Sequence, residues 1–537
     1  MPSFIPAQPA AQPPPVQLLE AFQQLTTVAA ECLLAVVVGL LGARLMRRHR
    51  LHWSWTVAPD AIAILGRGLL HHAAVPIGLG AVLAGWVVRR RQHLDGEDGV
   101  DGGDVLYGRT PRTLAAWMRF RVLGPRELVF RPSQPGTLLL GHDERWRRVT
   151  VPFGGGAGGT HTLVVGATGS GKTVTQSRIA VAAIAAGMGA VVIDPKGDAA
   201  LREQLIAATR ASGRRFLEWT PEGPCVYNPL ARGSETEVAD KALGSERFTE
   251  PHYLRQAQRY LGHEVRSLRL GGEQVTLAAL VEYLDPSNLE QLLRELPAED
   301  VKASFAYLDS LTPRQRGDLA GVRDRLAVLS ESDAGVWLEP ATGPAPEVDL
   351  LGCARERAVV LFTLRSDSRP LLSQMLAAAV VQDLQTVVAA SQSDPVRTLV
   401  LIDEFSAVAP EHVVRLFGRA RSAGISLVLG TQELADLRRA GGDSLAEQVI
   451  GNLGLLIAHR QVVPASAELI CGVAGSRSAW RVSRHSGGAS TRTRTRQPLL
   501  QPSEVMRLGT GWAAVLPLAH TQAPPVRITR ILPVPDR

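Results

Sequence analysis

The chain is poor in three things, and each scarcity removes a class of explanation. Only four of its 537 residues are cysteine, and Cys32, Cys225, Cys353 and Cys471 are scattered without metal-ligand spacing. That excludes a disulfide-stapled secreted scaffold and a cysteine-based zinc site, and the thiols read as reduced, intracellular packing residues. Lysine occurs only at positions 172, 196, 241 and 302, although Lys and Arg together number 58. A GC-rich coding bias toward arginine accounts for the imbalance, and it makes a lysine inside a glycine turn conspicuous. No Lys or Arg precedes Arg44, so the basic start of a cleaved signal peptide is missing. The net charge of +7 suits a nucleic-acid or anionic-membrane partner but selects neither.

Long apolar runs are confined to the first ninety residues. After a Pro- and Gln-rich start (1–24), expected to be disordered, come "LTTVAAECLLAVVVGLLGA" (25–43) and "LLHHAAVPIGLGAVLAGWVV" (69–88). Each approaches the roughly 20 residues that cross a bilayer. Each ends in arginines: Arg44, Arg47, Arg48 and Arg50, then Arg89, Arg90 and Arg91. A pair of buried core helices is the alternative, but the flanking charges favour a transmembrane region over 25–91. Two crossings would put the Arg-rich loop 44–68 and everything downstream on opposite sides. One crossing, with 69–88 lying in or re-entering the membrane, fits the charge rule better. Glu31 then sits at the interface or against a partner helix. The acidic, Gly-rich stretch 92–104 reads as a linker.

The phosphate chemistry lies in "LVVGATGSGKTVTQSRIA" (163–180), where Gly166, Gly171, Lys172 and Thr173 match G-x-x-x-x-G-K-[ST]. An apolar strand precedes the turn and a helix follows, the context that the motif needs. The turn residues Gly166, Thr168, Gly169, Ser170, Gly171, Lys172 and Thr173 are expected to hold ATP. Backbone N–H groups form an anion nest at the helix N-terminus. Lys172 reaches the β- and γ-phosphates, and Thr173 helps to hold Mg²⁺. "GGGAGG" (154–159) also satisfies G-x-G-x-x-G, but it precedes the strand instead of following one and reads as an entry loop.

A second apolar strand, "TLVLIDEF" (398–405), ends in Asp403 and Glu404. Asp403 is expected to orient the metal and Glu404 to polarise the attacking water. Further runs at 190–194, 358–364, 425–430, 454–459 and 512–516 read as strands, most of them separated by helical patterns. The expected fold is therefore α/β, a RecA-like nucleotide-binding domain with a mostly parallel sheet. Gln432 follows the 425–430 strand, where α/β proteins bind ligands; it senses the γ-phosphate or water, or is a surface glutamine. The domain is expected in two parts, 105–239 and 331–537, around an all-α insert at 240–330 with helical periodicity and interleaved charges. The basic stretch "RVSRHSGGASTRTRTR" (481–496) reads as a loop that contacts phosphates or stays solvated.

Taken together these motifs resemble the type IV coupling proteins (TraG/TraD-like), within the FtsK-like hexameric DNA motors. The resemblance rests on "VVGATGSGKT", "VVIDPKGD" (191–198), "VYNPL" (226–230), the helical insert and "LVLIDEFSAV" (399–408). "GRARSAGISLVLGTQELADL" (418–437) and "QPSEVMRLGTGWAAVL" (501–516) extend it over roughly residues 137–520. It implies a membrane-anchored P-loop ATPase of the bacterial inner membrane, its body in the cytoplasm, assembled as a homo-hexamer. Such a protein uses ATP and Mg²⁺ to bring single-stranded DNA with its relaxase to a type IV secretion channel. It also implies that Arg421 is a finger completing the neighbouring subunit's ATP site, and that the insert contacts DNA or substrate. Two other functions compete with this one: an ATP-binding recruitment adaptor, and a chromosomal FtsK-like translocase. The water-activating carboxylate argues against the first. The chain's end at "RITRILPVPDR", without room for a winged helix, argues against the second.

Overall fold

Strands buried on both faces read as unbroken apolar runs, and the runs above settle into one sheet. The computed structural model of the protein describes residues 14–48, 56, 74–94, 137–144, 146–152, 160–244, 250–341, 343–407, 410–484, 490–519 and 526–534. The entry loop at 154–159 and the linker at 92–104, but for residues 92–94, lie outside them. The chain forms two compact units. One comprises 1–124, 144–147 and 476–497, and the other comprises 125–143, 148–475 and 498–537.

In the larger unit the strands are β1 (Thr137–Asp143), β2 (Arg148–Pro152), β3 (Thr162–Val165), β4 (Gly189–Asp194), β5 (Phe216–Trp219), β6 (Val359–Thr363), β7 (Thr398–Ile402), β8 (Ile425–Thr431), β9 (Leu455–Ala458), β12 (Trp512–Pro517) and β13 (Arg527–Ile531). They form one sheet in the order β2-β1-β13-β12-β9-β3-β8-β7-β4-β6-β5. From β9 to β5 every neighbouring pair is parallel. From β9 outward through β12, β13, β1 and β2 every pair is antiparallel. The expected parallel sheet is present, and it carries an antiparallel flank that the apolar pattern did not disclose beyond the 512–516 run.

Strand alternation divides the core into two layers. Leu163 and Val165 face one side of β3 and Val164 the other, and β4, β6, β7, β8 and β9 divide likewise. On the Val164 side the sheet is covered by α3 (Lys172–Ala185), through Ile179, Ala180, Ala183 and Ile184, and by α4 (Ala199–Ala211), through Leu201 and Leu205. The opposite side holds most of the remaining helices.

Among the described residues, seven α-helices fill the chain between β5 and β6: α5 (Glu235–Leu243), α6 (Pro251–Leu270), α7 (Leu277–Tyr283), α8 (Pro286–Glu295), α9 (Ala298–Asp309), α10 (Pro313–Ser330) and α11 (Leu350–Glu356). Their boundaries follow local rules. α5 and α10 each begin with a capping box, Ser234 with Glu237 and Thr312 with Gln315, which satisfies otherwise orphaned backbone donors. Their apolar faces join the same core as one side of the sheet.

The helix α12 (Pro370–Ala390) is apolar and long enough to cross a membrane, but 78% of its apolar window is buried. It is a core helix. Also in this unit are α13 (Pro410–Ala420), α14 (Leu434–Asn452), α15 (Pro464–Ala474) and α16 (Pro502–Met506).

The smaller unit contains α1 (Pro14–Arg48) and α2 (Ala74–Leu94). Helix α1 starts at Pro14, so residues 14–24, expected to be disordered, continue the apolar helix. Its stretch Phe22–Met46 has a mean hydropathy of 2.1 and is only 11% buried. Twenty-five helical residues span about 37 Å, more than a hydrocarbon core of about 30 Å.

The two helices pack through small residues. A Cβ on Gly39 would come within 3.0 Å of the Gly80 carbonyl oxygen, and one on Gly80 within 2.9 Å of the Ala35 carbonyl oxygen. Further along, Gly42 faces Ala84, and Ala43 and Met46 cluster with Ala84 and Val88. Contacts that advance together along both helices mean that the pair is parallel. Arg48 and Leu94 therefore end at the same end of the pair. Neither the single-crossing nor the two-crossing expectation foresaw this geometry.

The smaller unit also carries most of a two-stranded sheet, β10 (Ser476–Arg484) and β11 (Ser490–Pro498). This corrects the expectation of a loop for 481–484 and 490–496; residues 485–489 lie outside the described residues. The run "TRTRTR" places β-branched threonines at every second position, a strand pattern.

Candidate active site

The turn from β3 into α3 builds the site. Gly171 caps α3 with φ 107° and no side-chain cap bond. A side chain at that φ would be strained, and the uncapped helix N-terminus leaves its first N–H groups free to face an anion. Ser170 Oγ is buried without a partner. The turn is braced from the neighbouring β12 approach: Gly511 N–H donates to the Ser170 carbonyl (2.9 Å) and the Thr510 hydroxyl to that of Gly169 (3.3 Å).

At the carboxyl ends of the parallel strands the charged residues converge. Lys172 Nζ lies 2.6 Å from Glu404 Oε1 and 3.0 Å from Asp403 Oδ1. Gln432 Nε2 donates to the same Glu404 oxygen at 3.1 Å, and Gln432 Oε1 accepts from Thr168 at 3.4 Å. Lys172, Asp403 and Glu404 are buried. Glu404 has φ 47°, a left-handed conformation that costs a non-glycine residue roughly 1–3 kcal/mol and clusters at functional sites.

Three further residues belong here that the motifs contain only within longer stretches or leave out. Lys196 Nζ lies 3.0 Å from Glu404 Oε1. Burial lowers its pKa, but the hydrogen bond and charge of Glu404 outweigh that and the net shift is upward. Gln176 Nε2 holds Asp403 Oδ1 at 2.8 Å. Asp194, at the end of β4, accepts backbone N–H bonds from Lys196, Gly197 and Asp198, shaping the "DPKGD" turn. Burial pushes its carboxyl up, the three N–H bonds oppose this, and the Asp403 charge adds to the rise. One signal could have found Lys196. In a chain with four lysines, Lys172, Lys196 and Lys241 all pair with carboxylates, Lys241 with Asp383 at 2.9 Å.

His459, at the end of β9, closes the floor. Its ring bonds to Thr175 Oγ1 at 2.8 Å and to the Trp512 carbonyl at 3.0 Å. Burial pulls its pKa down to about 4, the Trp512 and Ser170 backbone bonds oppose this, and the Lys172 charge lowers it further. Neutral near pH 7, it adds no charge beside Lys172.

Arg421 is not part of this cluster. It follows α13, before the amino end of β8, and is exposed. Its charge is felt by His161, which precedes β3 and whose pKa is lowered to about 4 by burial, despite a bond to the Phe417 backbone, and then by Arg421. The seven residues of β8 (Ile425–Thr431) separate Arg421 from Gln432 by about 20 Å. An arginine side chain cannot cover that distance within its own subunit.

The sheet, the glycine turn and the facing carboxylates give the chain a RecA-like P-loop fold of NTPase type. Residues 397–510 match the family model described as the TraM recognition site of TraD and TraG. The bacterial conjugative coupling protein TrwBdeltaN70, in its unbound form, superposes with a TM-score of 0.56 at 18% identity, covering 76% of this chain and 91% of that one. TrwB in complex with ADP and Mg²⁺ gives 0.52 at 18% identity over 70% and 86%. VirB4 of Thermoanaerobacter pseudethanolicus gives 0.51 at 13% identity over 74% and 96%. An uncharacterized protein of Mycoplasma pneumoniae (strain ATCC 29342 / M129 / Subtype 1) is 31% identical over 91 residues, 17% of this chain. The chain spans 61% of the length of that curated relative. The resemblance to the type IV coupling proteins read from the motifs thus holds for the fold and for the matched residues.

Proposed function

We propose that the chain is a membrane-anchored ATPase that couples ATP hydrolysis to recruiting and translocating DNA, with its relaxase, through a type IV secretion channel. In this reading it acts as a homo-hexamer at the bacterial inner membrane, with the ATPase body in the cytoplasm. The observation that carries it is the convergence of Lys172, Asp403, Glu404 and Gln432 beside an uncapped helix N-terminus. The residues fit a nucleotide with its metal: Ser170 Oγ is a buried, unpartnered polar atom in the turn, and Thr173 and Asp403 would supply hard oxygen ligands. Mg²⁺, when bound, neutralises charge on the phosphoryl oxygens.

The chain's own part follows from its contacts. Lys172 holds Glu404 at 2.6 Å, and an arriving phosphate competes for that ammonium. As Lys172 turns to the phosphate, Glu404 is freed to accept a proton from water, held in place by Gln432 and Lys196. The backbone donors of residues 169–173 receive the remaining phosphate charge. TrwB and VirB4 share the fold at these identities, and TrwB has been solved with ADP and Mg²⁺; both support the reading.

The membrane anchor is supported by exposed apolar residues on both N-terminal helices, among them Leu25, Leu33, Leu41, Leu79 and Trp86. Parallel packing sets both arginine-bearing ends on one side, as the positive-inside rule requires. Single cysteines at 48 and 92, in a variant lacking the native cysteines, should therefore react with an impermeant reagent from the same, cytoplasmic side. Labelling of the two positions from opposite sides would replace this topology with an antiparallel hairpin.

The function is tested on the full chain in detergent. ATPase activity should rise severalfold or more with single-stranded or duplex DNA. Hydrolysis indifferent to every DNA form would remove the translocase and leave a recruitment adaptor. Recovery of the full chain in the soluble fraction without detergent would remove the anchor.

A further inference from the structure

No Asp or Glu occurs between Glu468 and Glu504, yet Arg477, Arg481, Arg484, Arg492, Arg494 and Arg496 all fall in that interval. The interval is centred on the β10–β11 ribbon, a sheet separate from the main one. On β11, arginine takes positions 492, 494 and 496, alternating with Thr491, Thr493 and Thr495. Arg494 and Arg496 are exposed, and neither has an ion pair among the described residues. Several exposed arginines elsewhere are paired with a nearby carboxylate: Arg202 with Glu218, Arg232 with Asp349, Arg266 with Glu235, Arg294 with Glu290. Like charges crowded on one strand repel one another and destabilise the sheet. An external polyanion is what would offset them.

The spacing selects the polyanion. Every second strand residue recurs at about 6.7 Å on one face, comparable with the separation of successive phosphates along an extended nucleic-acid strand. The residues between the arginines are threonines, which bond phosphate oxygens and supply none of the apolar area that holds a surface element to lipid. A two-stranded ribbon also has the width to enter a nucleic-acid groove. We propose that the β10–β11 ribbon binds the phosphate backbone of the DNA cargo, independently of base sequence, through the arginine-bearing strand β11, on which Arg494 and Arg496 are exposed. The proposal rests on the DNA-translocating function above and names the element that grips the strand.

The test uses the full chain in detergent and fluorescence anisotropy with labelled single-stranded oligonucleotides of unrelated sequence, titrated with salt. Replacing Arg492, Arg494 and Arg496 together by glutamine should weaken binding about tenfold or more, equally for every sequence. It should lower the slope of log affinity against log salt by about 2, at roughly 0.7 for each phosphate that is no longer neutralised. Lysine at the same three positions should restore most of the slope. ATP binding, measured in parallel, should be unchanged in both variants and reports an intact fold. Wild-type DNA binding with affinity and slope retained by the glutamine variant would overturn the ribbon's role and leave the translocase standing, whatever the ribbon then faced. A wild-type chain that binds no DNA at any salt would overturn both.

Discussion

Lys172→Ala is expected to abolish ATP turnover, and Glu404→Gln to bind ATP normally while hydrolysing it at least about 10²-fold more slowly. The two variants act on opposite sides of one contact, the 2.6 Å pair between Lys172 Nζ and Glu404 Oε1. Without Lys172, the phosphates lose their main cationic partner. Asp403 and Glu404, both largely buried, then keep only Lys196 as a nearby cation among the described residues. Leaving buried charge less compensated costs stability as well, so Lys172→Ala should also melt lower when no nucleotide is present. Glutamine at 404 keeps the shape, and its amide oxygen can still accept from Gln432 and the lysines. It cannot take a proton from water. Turnover at the wild-type rate by the Glu404 variant, measured by phosphate release, would remove that residue from the chemistry.

The second large effect is expected from Arg421→Ala: ATP affinity nearly intact, with DNA-stimulated hydrolysis reduced by about 10³ or more. Geometry makes this a sharp test. Arg421 lies at the amino end of β8, about 20 Å along that strand from Gln432, so it acts on a neighbour's site or on none. A head-to-tail ring makes such a contact between one subunit and the next. Arg421 is exposed and has no ion pair among the described residues, so its loss should change stability by no more than about 0.5 kcal/mol. Mixing Arg421→Ala with Lys172→Ala chains should recover activity, because a ring then pairs a sound arginine from one chain with a sound P-loop from the other. If mixed rings form and never recover activity, Arg421 has no role across the interface.

The sequence by itself determined what is local and contiguous. The turn from Gly166 to Thr173 reads directly as a strand–turn–helix, because the flanking strand and helix are its immediate neighbours in sequence. The position of Asp403 and Glu404 at a strand end was legible because a parallel strand buried on both faces is apolar until it emerges at the carboxyl edge of the sheet. The strands β3, β4, β6, β7, β8 and β9 followed for the same reason. Four-residue β5 and the antiparallel strands β1, β2 and β13 did not, since their pairing partners are set by distant contacts such as Gly141 with Ile531.

Only the tertiary structure decided which side chains meet across those distances. Lys196 reaches Glu404 over 208 residues, Gln176 reaches Asp403 over 227, and Thr175 reaches His459 over 284. No periodicity encodes such contacts; they exist because parallel strand order brings loops together at one edge of the sheet. That same order sent Arg421 to the opposite edge, although it stands only eleven residues before Gln432 in sequence. Apolar composition likewise picked out α1 and α2 as apolar helices near the N-terminus, but it carries no direction. The close approach of Gly39 to Gly80, repeated one turn later at Gly42 and Ala84, is what shows the pair to be parallel, with Arg48 and Leu94 at the same end of it.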